Sequence, residues 1–276
     1  MDDEGFIDIT AEKLKDYIET HREDGYLLVD VRQTLEYELG HIPGATFLPL
    51  PNLEARLFEL PGDKDLIFYC RNGTRSLMAA SLAAEGEVTG KKVYNLLGGI
   101  FAFEGRTLTG IPKVQMFDRA QSLEALLHTA MDLEKGAWRF YSHLKKSFAG
   151  AAIGPTVDRL SKEETAHARL IYRFWVKTAA AAVPFETLFD RLPGEILEGG
   201  DTLEDMLARV DELEGDPCLG VIEIALQIEH AAFDLYRTLS GQVESQEARE
   251  ALLSLAQAEK GHMRALARAI VKCPAS

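Results

Sequence analysis

One pattern occurs twice in the C-terminal half of the chain and restricts how that half can fold. Glu134 is followed by Tyr141, Glu164 and His167 at offsets of seven, thirty and thirty-three residues. Glu229 is followed by Tyr236, Glu259 and His262 at those same offsets, so the two sets are displaced by a constant 95 residues. In an α-helix, residues three and seven apart share a face. Each Glu-x-x-His, Glu164 with His167 and Glu259 with His262, therefore directs a carboxylate and an imidazole the same way, and the Glu-to-Tyr pairs do likewise. Two helical hairpins packed face to face would bring four Glu and two His into one core, the ligand set of a dinuclear metal site in a four-helix bundle.

Local punctuation predicts four long helices. The first runs from about Arg119 to Phe148 and stops at Gly150, and the second starts at Pro155 and reaches about Lys177. The third takes Asp216 as N-cap with Pro217 at N1 and ends near Gly241. The fourth runs from about Gln246 to Val271 and stops before Pro274. Between the second and third lie about 38 residues, the length of a crossover that returns one helical pair to the other end of a bundle. Within it Thr202 and Asp205 are spaced like a capping box ahead of Leu203, Met206, Leu207 and Val210, which predicts a short amphipathic helix.

Ionised carboxylates on core-facing positions repel one another and each costs several kcal/mol to bury, so the pattern calls for cations. Mixed carboxylate and imidazole ligation with no thiolate favours iron or manganese over a structural zinc, though manganese or zinc remains an alternative to iron. Glu164 and Glu259 would bridge two ions, Glu134 and Glu229 would cap one each, and His167 and His262 would supply nitrogen. Tyr141 and Tyr236 would stand behind the ligands as hydrogen-bonding support. Glu163, Glu223, His128, His143 and His230 lack duplicate-consistent partners and read as ordinary surface or core residues.

The N-terminal half reads differently. Alternating helical and strand signals predict an α/β fold with a parallel sheet. Thr10 opens an amphipathic stretch through Leu14, Tyr17 and Ile18, and Tyr26 to Val31 and Leu66 to Tyr69 are short apolar runs that read as buried strands. The second run ends on Cys70, and Arg71, Asn72, Gly73, Thr74, Arg75 and Ser76 lead into the helical composition LMAASLAAE. Strand, tight loop and helix aim backbone N–H groups at an anion. A cysteine there gains a lowered pKa from the helix N-terminus and from Arg71 and Arg75, and the same N–H groups can hold a charged sulfur species. A tyrosine-phosphatase loop is the rival, but it carries His before the cysteine and five residues before its Arg. Here Tyr69 precedes Cys70, and four residues separate it from Arg75.

Residues 1–110 resemble a rhodanese domain. The resemblance is carried in order by Leu28-Val-Asp-Val-Arg32, Glu36-Tyr37, Gly40-His-Ile-Pro-Gly-Ala45, Cys70-Arg-Asn-Gly-Thr-Arg-Ser76 and Val93-Tyr-Asn-Leu-Leu-Gly-Gly99. It implies sulfurtransferase activity in which Cys70 and Arg75 are catalytic, Cys70 cycles through a persulfide, and Arg71, Asn72, Gly73, Thr74 and Ser76 cradle the terminal sulfur. The implied partner is a small sulfur-donor anion such as thiosulfate or a persulfide. Asp30 and Arg32 are expected to serve the fold, and His41 a structural role.

Residues 119–276 resemble the rubrerythrin branch of the ferritin-like superfamily through Glu134, Glu164-Thr-Ala-His167, Glu229 and Glu259-Lys-Gly-His262. That resemblance implies two iron ions, reaction with oxygen or hydrogen peroxide in a peroxidase-like oxidoreductase, and association as a homodimer. The chain departs from the family in having no rubredoxin-type pair of Cys-x-x-Cys motifs, and Ala225, Leu226, Ala232 and Phe233 stand where the family has an extra Glu. Residues 111–118, within GRTLTGIPKVQMFD, read as the linker between the two domains.

The chain carries 44 acidic against 30 basic residues with neither half basic, which speaks against nucleic acid as a partner. No apolar run is long enough to span a membrane, and the acidic MDDEGFIDIT start lacks the layout of a signal peptide. Cys70, Cys218 and Cys273 form no Cys-x-x-Cys, so the expectation is a cytoplasmic protein in which no disulfide staples the fold. The alternative to the two-enzyme reading is an iron-binding or sensing protein whose first domain is a non-catalytic docking module.

Overall fold

A computed structural model of the chain describes residues 5–103, 105, 107–109, 122–214 and 217–273. The chain divides into two compact units, Met1–Ile111 and Pro112–Ser276. The connector read at 111–118 lies outside the described residues.

In the first unit, β1 (Ile7–Ile9), β2 (Tyr26–Asp30), β3 (Thr46–Phe47), β4 (Asp65–Tyr69) and β5 (Val93–Leu96) form one parallel sheet in the order β1-β5-β4-β2-β3. Helices α1 (Ala11–Thr20), α2 (Thr34–Leu39), α3 (Leu50–Arg56), α4 (Thr74–Glu85) and α5 (Gly99–Ala102) fill the connections. Thr10 caps α1, its hydroxyl accepting from the Lys13 N–H at 3.4 Å. Side chains alternate along β4. Leu66, Phe68 and Cys70 enter one core with Val29, Leu53 and Ala79 and Ala83 of α4, while Ile67 and Tyr69 enter the opposite core with Leu28, Ile42 and Tyr94. Burial on both faces is why β2 and β4 read as continuous apolar runs, and the period of two turns Cys70 toward α4.

The second unit is helical: α6 (Leu123–Ser147), α7 (Gly154–Trp175), α8 (Phe185–Arg191), α9 (Leu203–Asp211), α10 (Cys218–Ser240) and α11 (Gln246–Ile270). The four long helices share two apolar layers. Leu127 and Met131 of α6, Ile171 of α7, Phe233 of α10 and Leu255 of α11 belong to one layer. Phe140 of α6, Leu160 of α7, Ile222 of α10 and Leu266 of α11 belong to the other. Along the chain α6 and α11 pass from the first layer to the second, whereas α7 and α10 pass from the second to the first. Two successive helices running the same way need a long return, and residues 176–217 supply it: Phe185, Leu188 and Phe189 of α8 sit in the first layer, and Leu203 and Met206 of α9 in the second.

Helix ends differ in places from their sequence signals. α6 begins at Leu123, capped by Ser122, its hydroxyl accepting from the Ala125 N–H at 3.2 Å; Arg119, where the start was expected, lies outside the described residues. Ser245 caps α11 in the same way at 3.3 Å. α10 starts at Cys218 with Pro217 as its N-cap, which places Pro217 one position earlier than the N1 expected for it; Asp216 lies outside the described residues. Among the described residues no helix is long and apolar enough to cross a membrane.

Cys218 and Cys273 are joined by a disulfide, which corrects the expectation that no disulfide staples the fold. Their separation of 55 residues gives no spacing signal; they meet because α10 and α11 are antiparallel, placing the start of one beside the end of the other. Cys273→Ser is expected to lower the unfolding free energy of this unit by at most ~4 kcal/mol through the restored freedom of the open chain. Urea unfolding of oxidised wild type against the variant measures it, and equal midpoints would show that the bridge constrains nothing.

Candidate functional site

Each unit gathers one set of reactive side chains. In the first, Cys70 directly follows β4 and Gly73 leads into α4 with φ +98°, a left-handed turn that glycine adopts without strain. A second glycine pins the loop from behind. Gly99 has φ +58°, and a Cβ there would collide with the carbonyls of Cys70 and Arg71. That close approach lets the Ile100 N–H donate to the Cys70 carbonyl at 2.8 Å and the Phe101 N–H to the Arg71 carbonyl at 3.2 Å.

The thiol sulfur lies at the base of this loop without exposed surface. Arg71, Asn72 and Thr74 form the exposed mouth, and Arg71 lies over the Phe101 ring at 4.7 Å. The Gly73 N–H points at Cys70 Sγ from 3.2 Å and Ser76 Oγ lies 3.5 Å away. Asn72 Oδ1 accepts from the Thr74 N–H at 3.3 Å, holding the turn. Burial raises the Cys70 thiol, but hydrogen bonds from Ser76 and from the backbone N–H groups of the loop outweigh it, and the thiol falls below its ordinary value. Ser76 has one proton and three acceptors, Cys70 Sγ, the Gly73 carbonyl at 3.1 Å and Asn95 Oδ1 at 2.7 Å. Asn95 is itself oriented by donating to Asp8 at 2.8 Å, so Ser76 serves the sulfur only by releasing Asn95.

Arg75 also interacts with Cys70, but its guanidinium is held by a two-pronged pair with Glu36 of α2, both contacts at 2.7 Å. Arg75 holds the Glu36 carboxyl down at about 2. Sequence reasoning placed Arg75 on the sulfur and missed Glu36 as its partner, because the two are 39 residues apart on separate elements. Asp30 and Arg32 form a buried pair at 2.6 Å, and Arg32 also donates to the Gly40 carbonyl at 2.7 Å, tying β2 to the turn before β3. His41 is buried and stacks on Tyr37 at 4.0 Å.

In the second unit, Glu134, Glu164, His167, Glu229, Glu259 and His262 are all buried and lie between the two apolar layers. His167 Nδ1 is 3.3 Å from each of Glu134, Glu164 and Glu259. His262 Nδ1 is 2.9 Å from Glu229 and 3.2 Å from Glu164 and from Glu259. Each Nδ1 thus faces one carboxylate of its own and two that are shared. Ligand atoms from Glu164, His167, Glu259 and His262 lie within 4.8 Å of one another. The tyrosines cross between halves: Tyr236 of α10 donates to Glu134 of α6 at 2.7 Å, and Tyr141 of α6 donates to Glu229 of α10. The spacing gave these tyrosines but not their partners, which belong to the other repeat.

The electrostatics are those of a crowded anionic core. Burial raises Glu134 and Glu229 above the usual carboxylate range despite their facing imidazoles. Burial also opposes charge on Glu164 and Glu259, but the two imidazoles override it and hold both below that range. For His167 and His262 burial would lower the pKa, and the surrounding carboxylates instead push it well up. Burial and mutual repulsion thus work against charge on Glu134 and Glu229, a load that a cation would relieve. Glu134 Oε2, His167 Nδ1 and His262 Nε2 make no hydrogen bond. Glu134 Oε2 and His167 Nδ1 lie 3.3 Å apart without a hydrogen bond between them, and buried carboxylate and imidazole atoms left in that state fit a divalent metal better than they fit each other.

Two side chains were passed over in the sequence. Glu163, read as unremarkable, has Oε2 at 3.2 Å from His262 Nε2. Glu198, in the crossover, is buried beside the cluster; no period or duplicate marked it.

Residues 10–106 match the family model for a rhodanese-like domain. A sulfurtransferase of Allochromatium vinosum is 44% identical over 78 residues, 28% of this chain and 70% of that protein. YtwF of Bacillus subtilis, whose name proposes a sulfurtransferase, is 34% identical over 100 residues, 36% of this chain and 92% of that protein. The HTH-type transcriptional regulator Rv0324 of Mycobacterium tuberculosis is 41% identical over 85 residues, 31% of this chain and 36% of the regulator.

Proposed function

The chain belongs to the rhodanese-like family through residues 10–106, and from that premise we propose that its first unit is a sulfurtransferase in which Cys70 carries the sulfur. The observation that carries this reading is the Gly73 N–H aimed at Cys70 Sγ from 3.2 Å within a loop that lowers the thiol pKa. The Cys70 thiolate attacks the outer sulfur of a donor such as thiosulfate; the donor S–S bond breaks and sulfite leaves with its electron pair. The persulfide anion so formed is one sulfur longer than the thiolate and reaches the N–H groups of the loop. A nucleophilic acceptor then takes that outer sulfur and the thiolate returns. Arg71 at the mouth attracts the anionic donor, and Arg75, steadied by Glu36, faces the reacting sulfur.

The direct test is the mass of the chain after incubation with thiosulfate. A product one sulfur atom heavier, with the addition on the Cys70 peptide, is expected; no mass change with any small sulfur anion would contradict the assignment. Transfer should also rise with pH through a midpoint below the ordinary thiol value, because the thiolate is the nucleophile. Ser76→Ala removes a donor to that thiolate and is expected to move the midpoint upward. An unmoved midpoint would show that the backbone N–H groups act alone.

The second unit is proposed as a ferritin-like four-helix bundle of the rubrerythrin type, in which Glu134, Glu164, His167, Glu229, Glu259 and His262 would hold two iron ions. The support is the pattern of one private and two shared carboxylates around Nδ1 of each imidazole. Bound iron would supply the electrons for reduction of oxygen or hydrogen peroxide. The protein's own contribution is to hold the ligands rigid on four helices, to fix Glu134 and Glu229 through Tyr236 and Tyr141, and to exclude water with apolar layers above and below. Mixing ferrous-loaded protein with hydrogen peroxide and following absorbance tests the reactivity; an unchanged spectrum would leave a binding site without redox chemistry.

A further inference from the structure

The crossover does more than return the chain to the other end of the second unit. It leaves the first apolar layer at Leu192 and enters the second at Leu197, so it passes the level of the Glu and His cluster between and just beyond those residues. At that level its backbone is fastened to the long helices. Gly194 accepts from Arg139 at 3.1 Å through its carbonyl and donates to Asp132 at 2.8 Å through its N–H. The Ile196 carbonyl lies so close to Gly136 that a Cβ on that glycine would collide with it, and a Cβ on Gly199 would lie 3.3 Å from Ala231 of α10. The segment is also closed on itself, with the Leu197 N–H on the Asp201 carbonyl at 3.0 Å and the Leu203 N–H on the Glu195 carbonyl at 2.8 Å. Residues 194–203 therefore form a fixed strap running from Gly136 of α6 to Ala231 of α10, the helices that carry Glu134 and Glu229.

Glu198 sits on this strap with 2% of its surface exposed, and its Oε2 has no hydrogen-bond partner. The strap that carries it is packed against Gly136, two residues from Glu134, and against Ala231, two residues from Glu229. After burial, the largest influences on its carboxyl are the like charges of Glu134, Glu164 and Glu259, and Glu198 in turn acts on Tyr236, which holds Glu134. A buried carboxylate on a rigid strap at the level of the cluster, with a bare oxygen and no ion pair to a basic side chain among the described residues, is unfavourable unless a cation shares it. We propose that Glu198 supplies a further carboxylate to divalent metal held by the Glu and His cluster, entering from the crossover strap rather than from a helix. This rests on the reading of that cluster as a metal site.

Cobalt(II) titration of the chelated full-length protein tests it, because cobalt reports both affinity and coordination through its visible bands. Wild type, Glu198→Gln and Glu164→Ala are compared, together with the thermal midpoint of each with and without metal. Glutamine keeps the shape of the side chain and removes its charge. Glu198→Gln is expected to bind with affinity lowered roughly 10- to 100-fold, with altered visible bands. Its metal-free form should melt higher than metal-free wild type, because an unpaired buried carboxylate is gone, while its gain on adding cobalt should be smaller. Wild-type affinity, bands and metal-induced gain in Glu198→Gln would overturn the role of Glu198 alone. No cobalt binding by wild type would overturn the metal reading and this proposal with it.

Discussion

Cys70→Ser is expected to reduce sulfur transfer to the uncatalysed background, a fall of roughly 1000-fold or more, while metal content is unchanged. The substitution exchanges sulfur for oxygen with little change of shape, so the Gly73 N–H and the loop pinned by Gly99 stay in place. What disappears is the group able to ionise near neutral pH and to carry a second sulfur. The same assay distinguishes the docking-module alternative, in which Cys70 is incidental and transfer by wild type never exceeds background. Transfer retained by the serine variant would place the reaction elsewhere on the chain.

Removing metal from the second unit is expected to lower its melting temperature substantially. A ligand present at a thousand times its dissociation constant stabilises the folded state by about 4.1 kcal/mol, which for a unit of this size corresponds to roughly 10 °C. The physical source is the buried set of carboxylates, whose burial and mutual repulsion a cation would relieve. Scanning calorimetry with and without a chelator, followed by re-addition of iron, reads the effect. A melting temperature indifferent to both would mean that the cluster is a hydrogen-bonded core and not a metal site.

What could be read from the sequence was what regular structure repeats. Glu134, Glu164, His167 and their duplicates were legible because a helix turns residues three and seven apart onto one face, and the constant displacement tied the two halves together. The strands at Tyr26 and Leu66 were legible from burial on both faces, and Cys70 from its place between strand, glycine turn and helix. β1, β3 and β5 are short and were not separable by period. Glu36 with Arg75, and Cys218 with Cys273, depend on tertiary contact between elements far apart in sequence, which no local pattern encodes. Glu198 was invisible for a third reason: it lies on an irregular strap whose position is set by Gly136 and Gly194 packing backbone to backbone, and such a segment has no face to predict. α8 was likewise unread within the crossover, although Pro184 ahead of Phe185 and the pair Leu188 and Phe189 carried its signal.

The measurement that bears most directly on the account is metal content per chain, by elemental analysis of wild type and Glu164→Ala purified without added metal. Glu164 is one of the two carboxylates that both imidazoles face, so its loss should empty the whole cluster and not one side of it. About two iron ions per chain in wild type and close to none in the variant are predicted. Metal absent from both proteins, or present equally in both, would contradict the account.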